Sequence, residues 1–146
     1  MEVYEGVIRL HLCANTAHER TRGVRIFSRL FGACNVARAA GVWEGIHEPD
    51  LVITHFFTPT DAGAIKRLRR LWRYASLWQI AAKQVAILVE ITTPEGSLAL
   101  VIYAGEWAPA WYRALPLIDR GEFLAEYFEA RSDYLARLEV GGRPDA

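Results

Sequence analysis

The order in which strand-type and helix-type patterns follow one another leaves few folds open to this sequence. Residues 3–12 predict a strand, because apolar and polar side chains alternate at Ile8, Arg9, Leu10 and His11. Further strands are predicted at residues 35–45, 51–57, 84–91 and 97–104. A capping box of Thr16 and Glu19 opens a first helix, and residues 58–61 open a second with an apolar face from Ile65 to Ala75. The first six elements are therefore β-α-β-β-α-β.

That order predicts an α+β fold, the ferredoxin-like split βαβ arrangement, with a C-terminal strand and helix added. We expect one domain over residues 1–146, with a core at 3–105 and an extension at 106–146. Within the extension, residues 107–116 are predicted to be irregular because they hold two prolines. A final helix at 122–138 is expected after a cap at Asp119, followed by a frayed tail.

The charge balance argues against polyanionic partners. The chain has 17 basic and 17 acidic residues, so no overall field draws it to nucleic acid or to an anionic membrane surface. No apolar run is long enough for a membrane span, and the N-terminal residues do not resemble a signal peptide. Cys13 and Cys34 lie in apolar surroundings and are interpreted as buried thiols rather than a disulfide. These patterns favour a cytoplasmic protein and permit a homo-oligomer.

Several groups of residues could carry chemistry but have simpler explanations. The chain has four histidines, His11, His18, His47 and His55. Their spacing matches no familiar zinc site, so no metal is expected. The basic run at 66–73 is interpreted as a solvated helix face. Trp107 and Trp111 could line a pocket or a subunit interface, or could belong to the core.

The segment 41–53 is the most informative. Gly41 and Gly45 flank an aromatic residue, Trp43, and glycines let a ligand or another backbone approach closely. Residues 47–50 are predicted to form the tight connection of a hairpin, which places the acidic Glu48 at its corner. An ordinary turn with solvated carboxylates would explain the same residues.

The order Gly41-x-Trp43-x-Gly45-x-x-Glu48, followed by the strand at 51–53, resembles a pattern of phage-encoded S-adenosylmethionine (SAM) lyases, formerly called SAM hydrolases. The resemblance extends over residues 3–105, including a loop with Asn15 and a basic helix start at Arg20 and Arg22. It implies an enzyme that splits SAM into methylthioadenosine and homoserine lactone. SAM is then the substrate, and no cofactor is needed.

The resemblance also implies roles for individual residues. Glu48 would be the functional acid that grips the substrate, and Trp43 would pack on the ligand, with Gly41 and Gly45 allowing close approach. Asn15 and Arg22 would contact the methionine end, and His47 and Asp50 are further candidates.

The same resemblance implies a homotrimer with its pockets between subunits, acting in the cytoplasm of a bacterial host. A bacteriophage would thereby deplete the methyl donor of restriction systems. Two other functions fit the sequence. One is a non-catalytic phage or mobile-element protein of the same fold that binds a host protein or a nucleotide-like ligand. The other is a structural trimer whose hairpin glycines serve packing alone.

Overall fold

The computed structural model describes residues 3–119, together with Asp133 and Ala136. Its elements follow in the order β1 (Gly6–Cys13), α1 (Ala17–Phe31), β2 (Asn35–Trp43), β3 (Ile46–Phe57), α2 (Ala62–Leu68), α3 (Leu71–Ala81), β4 (Ala86–Thr93), β5 (Gly96–Tyr103) and α4 (Trp107–Ile118). The helix and tail predicted beyond residue 119 lie outside the described residues.

The five strands form one antiparallel sheet in the order β2-β3-β1-β4-β5. The strand β1 is central, and its Leu10 lies opposite Ile53 on one side and Val89 on the other. Because β3 lies between β1 and β2, the helix α1 links two strands that are not neighbours, which defines the split βαβ arrangement. The predicted ferredoxin-like α+β fold is therefore confirmed, with β5 as the added strand at one edge.

The core lies between one face of the sheet and the helices. Along β1, Ile8, Leu10 and Leu12 are fully buried, whereas Arg9 and His11 on the opposite face are half-buried. Complete burial of one such aliphatic side chain stabilises a fold by about 1.5–3 kcal/mol. The largest buried side chains are Trp78, Trp107, Trp111, Phe27, Phe31 and Phe57. No helix within the described residues packs on the opposite face of the sheet, and the candidate site lies on that face.

Side chains at both ends fix the helix α1. The Thr16 hydroxyl accepts a hydrogen bond from the Glu19 amide at 3.1 Å, as the capping box predicts. The Glu19 carboxylate accepts a hydrogen bond of 2.9 Å from the amide of Asn15, whereas in the usual capping box it would accept from the amide of the N-cap residue, Thr16. Gly32 ends the helix with a φ of 78°, a conformation that favours glycine. The loop that carries Asn15 is thus held by the helix that follows it.

The second predicted helix is in fact two, α2 and α3. The break falls where the Trp111 indole donates a hydrogen bond to the Leu68 carbonyl at 2.8 Å. In a continuous α-helix that carbonyl would accept a hydrogen bond from an amide of the next turn. Here the chain instead forms a tighter turn, in which the Arg70 amide donates to the carbonyl of Arg67, three residues earlier. A buried side chain from a distant segment therefore interrupts the helical run.

The irregular conformation predicted for 107–116 is wrong, because the helix α4 covers this segment. Pro109 is its third residue, where the backbone N–H has no helical partner to lose, and Pro116 lies in its last turn. Trp107 and Trp111 are both buried, and the Trp107 indole donates to Gln79 Oε1 at 2.7 Å. Of the alternatives open for these two tryptophans, the structure therefore shows the core.

The hairpin turn lies earlier than predicted. Trp43 pairs with Ile46, so the turn is Glu44-Gly45 and not residues 47–50. Both turn residues have positive φ, 50° and 79°, as two-residue hairpin turns require. Glu48 is consequently inside the strand β3 rather than at a corner.

The sequence also predicts that both cysteines are buried thiols and that no segment spans a membrane. Cys13 and Cys34 are both free thiols, the first buried and the second half-buried. The described part of the chain contains no helix that is both long and apolar enough to span a bilayer.

Candidate active site

The site lies where the β2–β3 hairpin extends beyond the end of β1. Pairing of β1 with β3 ends at Cys13 and Asp50, whereas β2 and β3 remain paired as far as Trp43 and Ile46. The outer part of the hairpin thus has no strand on its inner side, which leaves a notch next to residues 83–85. A cavity of about 650 Å³ occupies this notch. Side chains that line it include His11, Cys13, Asn15, Gly41, Trp43, Glu48, Asp50, Lys83 and Tyr103.

The strand register explains why these groups share one face. Side chains of a strand alternate between faces, so Glu48 and Asp50 point to the same side of β3. Gly41 is the partner of Glu48 on β2, and Cys13 is the partner of Asp50 on β1. All four lie on the open face of the sheet, away from the core.

Gly41 leaves room for the observed position of Asp50. A Cβ atom at residue 41 would lie 2.7 Å from Asp50 Oδ2 and 3.0 Å from its Cγ. Such a contact is too short, so any side chain at residue 41 would force the Asp50 carboxylate to turn aside. The sequence predicts that a ligand or another backbone approaches this glycine; in the structure the group that lies against it is the Asp50 carboxylate.

The Cys13 thiol stays protonated at neutral pH. Burial raises its pKa from 9.0 to about 12, and the adjacent Glu48, which is hydrogen-bonded to it, adds to the rise together with Asp50 and Glu19. A protonated thiol is a weak hydrogen-bond donor and a poor nucleophile, and its Sγ lies 3.7 Å from Asn15 Oδ1. Cys13 therefore helps to orient the polar groups of the site and is unsuited to covalent catalysis.

The carboxylates of the site influence one another. Burial raises the pKa of Asp50, His11 opposes this effect, and the nearby Glu48 reinforces it. The His11 Nε2 lies 2.6 Å from Glu90 Oε2 on the neighbouring strand β4. The cavity is thus acidic, with an imidazole along one wall, and suits a ligand that carries positive charge or hydroxyl donors.

The structure brings together five of the residues predicted for the site. The cavity is lined by Glu48, Trp43, Gly41, Asn15 and Asp50. Gly45 is in the hairpin turn, where a Cβ atom would meet nothing within 4 Å. The roles predicted for these residues remain predictions.

Arg22 and His47, the other early candidates, lie elsewhere. Arg22 is exposed on α1 and is not part of the cavity lining, and His47 lies in a shallow hollow beside Pro49. Sequence reasoning missed Cys13, Lys83 and Tyr103. The register of β1 against β3 would have indicated Cys13, but the other two depend on how β4 and β5 are placed in the sheet. Within residues 3–119, Asp133 and Ala136, no cluster of three or more His, Cys, Asp or Glu side chains could hold a metal ion.

Comparison with known proteins shows where else this fold occurs. No family model matches the chain, and no curated protein matches it. A solved structure of a phage SAM lyase in the apo state matches with a TM-score of 0.53 and 15% identity, covering 72% of this chain and 96% of that one. A phage SAM lyase in complex with S-methyl-5′-thioadenosine matches with a TM-score of 0.52 and 16% identity, covering 70% and 91%. The chain therefore has the fold of the phage SAM lyases, and the resemblance noted in its sequence is confirmed at that level.

Proposed function

We propose that this protein is a SAM lyase, which forms methylthioadenosine and homoserine lactone. The observation that carries the proposal is Glu48, whose side chain lines a cavity of about 650 Å³. This volume lies within the range of about 300–1,000 Å³ that is usual for small-molecule sites. The fold supports the same reaction, since it is shared with phage SAM lyases, one of which holds S-methyl-5′-thioadenosine.

The chemistry needs little from the protein. The carboxylate of SAM attacks its own γ-carbon, the bond from that carbon to sulfur breaks, and the electron pair leaves with the sulfur as a neutral thioether. No proton moves, and both nucleophile and leaving group belong to the substrate, so no cofactor is required. Because the attack is already intramolecular, the protein contributes by holding the methionine chain folded, with the carboxylate in line with the breaking bond. Because opposite charges are neutralised as the ring closes, excluding water favours the transition state.

The residues of the cavity fit these needs. Glu48 accepts hydrogen bonds from the ribose hydroxyls or lies against the positive end of the substrate. Trp43, whose side chain is 45% exposed in the single chain, packs against the adenosyl group. Asn15, whose amide donates to the Glu19 carboxylate of α1, also lines the cavity and contacts the methionine end.

The open rim of the cavity supports an assembly. Val42, Trp43, Ile46 and Val85 are 45–72% exposed around it, and such an apolar cluster favours contact with another surface. We propose a homotrimer in which a neighbouring copy covers the cavity, and Arg22 can contact the ligand only across such a contact. Sedimentation or light scattering tests this, and a strictly monomeric protein would argue against a shared pocket. In this proposal a bacteriophage uses the enzyme in the host cytoplasm to deplete the methyl donor of restriction systems.

The activity has a direct test. The purified protein is incubated with SAM, and methylthioadenosine and homoserine lactone are followed by chromatography. No product after hours at micromolar enzyme would refute the lyase. Binding of methylthioadenosine without turnover would instead indicate the non-catalytic ligand-binding protein.

The role of Glu48 is tested by Glu48→Gln, which removes the charge and keeps the shape. Loss of one charged hydrogen bond of about 1.5–3 kcal/mol lowers turnover about 10- to 100-fold. The matched control is Glu106→Gln, because Glu106 is exposed and lies outside the cavity. Circular dichroism should show that both variants fold. Full activity in Glu48→Gln would exclude this carboxylate from the site.

A further inference from the structure

A second hollow lies on the opposite face of the same hairpin. It is a groove of about 520 Å³ between α1 and the edge strand β2. Its floor is apolar, and three arginines from two elements surround it. The floor residues are Val24, Val36 and Leu51, and the arginines are Arg20, Arg25 and Arg38.

The register places this groove away from the acidic cavity. Arg38 pairs with Leu51, a buried residue on the helix side of the sheet, whereas Glu48 and Asp50 are on the open side. On α1, Arg20 with Val24 and Thr21 with Arg25 are each four positions apart, so these residues form two adjacent rows along the side of the helix that lines the groove. The groove is therefore built by the helix and the strand together and is independent of the proposed SAM site.

In the part of the chain that the structure describes, the three arginines of the groove form no ion pair. Among the described residues, the ion pairs are His11 with Glu90 and Arg69 with Asp119, so none of the three guanidinium groups is paired with a carboxylate. The Arg20 guanidinium makes one long contact, 3.4 Å, to the Ala14 carbonyl. In a chain of zero net charge, three such groups around one hollow form a local positive field.

We propose that this groove binds a phosphate ester of nucleotide size. The planar guanidinium fork matches phosphate oxygens and binds them with two parallel hydrogen bonds. The apolar floor of Val24, Val36 and Leu51 provides a surface for the base or sugar. The phosphate comes either from a free nucleotide or from the backbone of a nucleic-acid strand.

The test measures binding of ATP and of a thymidine oligonucleotide to the full chain, by calorimetry and by fluorescence anisotropy. We expect binding of one ATP per chain, weakened about tenfold or more by Arg25→Glu and by Arg38→Glu. Arg113→Glu is the matched control, because it makes the same charge change on α4, which packs on α3 and on β5 at the opposite edge of the sheet from β2. Arg25→Glu and Arg38→Glu should leave turnover of SAM unchanged, because neither residue lines the SAM cavity, and this separates the groove from that cavity.

The two sources of phosphate give different results. Tighter binding of the oligonucleotide, with an affinity that falls steeply between about 50 and 200 mM salt, would indicate a nucleic-acid strand. Preference for ATP would indicate a free nucleotide. The proposal is overturned if neither probe binds, if Arg25→Glu and Arg38→Glu bind as the unmodified protein does, or if polyglutamate binds as tightly as both phosphate probes. Circular dichroism establishes that each variant is folded.

Discussion

Replacing Gly41 by alanine tests whether the Asp50 carboxylate is held as the structure shows. The added Cβ would lie 2.7 Å from Asp50 Oδ2, about 0.7 Å closer than the 3.4 Å at which ordinary contact begins. Asp50 is half-buried, so its carboxylate can turn away at the expense of a less favourable rotamer. The substitution therefore moves one carboxylate of the site while leaving the backbone of β2 in place.

Two opposing terms set the effect on stability. An off-rotamer side chain costs about 0.5–1.5 kcal/mol. Removing a glycine from a strand gains about 0.5–1 kcal/mol, because the unfolded chain loses less freedom on folding. The free energy of unfolding of Gly41→Ala should thus change by less than about 1 kcal/mol. Under the proposed lyase function, turnover of SAM should fall about tenfold or more, since misplacement by about 1 Å can reduce a rate about 100-fold.

A double-mutant cycle isolates the contact. In an Asp50→Ala background the carboxylate is absent, so Gly41→Ala should show only the favourable backbone term. Urea unfolding of the four proteins should give a coupling energy of about 0.5–1.5 kcal/mol between the two positions. Additive changes in the free energy of unfolding would refute the reasoning.

Gly45→Ala is the contrasting control for this cycle. Its φ is +79°, and no atom lies within 4 Å of the position that a Cβ would take, so alanine is strained there without displacing a carboxylate. It should destabilise the protein by about 1 kcal/mol and show no coupling to Asp50.

Two further predictions concern buried groups. Burial raises the pKa of Cys13 from 9.0 to about 12, so the contribution of the thiol to stability is complete below about pH 9 and is lost as the pH rises towards 12. The native protein should also resist alkylation by iodoacetamide at pH 8, because the thiol stays protonated. Rapid alkylation at that pH would contradict this. Arg69→Met leaves the fully buried Asp119 carboxylate without its 2.8 Å ion pair and should lower the free energy of unfolding in urea by about 3 kcal/mol. Adding Asp119→Leu should recover most of that loss. A single variant, Arg69→Met, as stable as the parent would contradict this.

The sequence is informative wherever a local pattern determines the local structure. The alternation at residues 8–12 and the capping box at Thr16 predict β1 and α1 correctly, because burial of one face and satisfaction of helical amides depend on neighbouring residues. The order of elements is then sufficient for the split βαβ fold. The resemblance around Gly41 and Glu48 locates the wall of the cavity without knowledge of the register.

The errors arise where distant contacts or two competing local signals decide the structure. The helical run through 65–75 breaks because Trp111, far along the chain, bonds the Leu68 carbonyl. Pro49-Asp50 is a frequent turn pair and predicts the hairpin turn at residues 47–50, although Glu44-Gly45 forms it. Pro49 is tolerated in β3 because its carbonyl bonds the Ala14 amide on the β1 side, just where β1 ends, so its missing N–H removes no bond to β2.

The hairpin overhang has a consequence for how tightly any ligand can bind. Beyond Cys13 the wall that carries Glu48 is a two-stranded ribbon. Its residues, 40–49, are all half-buried or exposed, whereas the β4 side of the cavity belongs to the packed sheet. Two-stranded ribbons are marginally stable without further packing, so the local unfolding of this ribbon requires less free energy than the unfolding of the sheet. A molecule that bridges the two walls must therefore order the ribbon as it binds. Its measured binding free energy is the free energy of its contacts minus the entropic cost of ordering the ribbon.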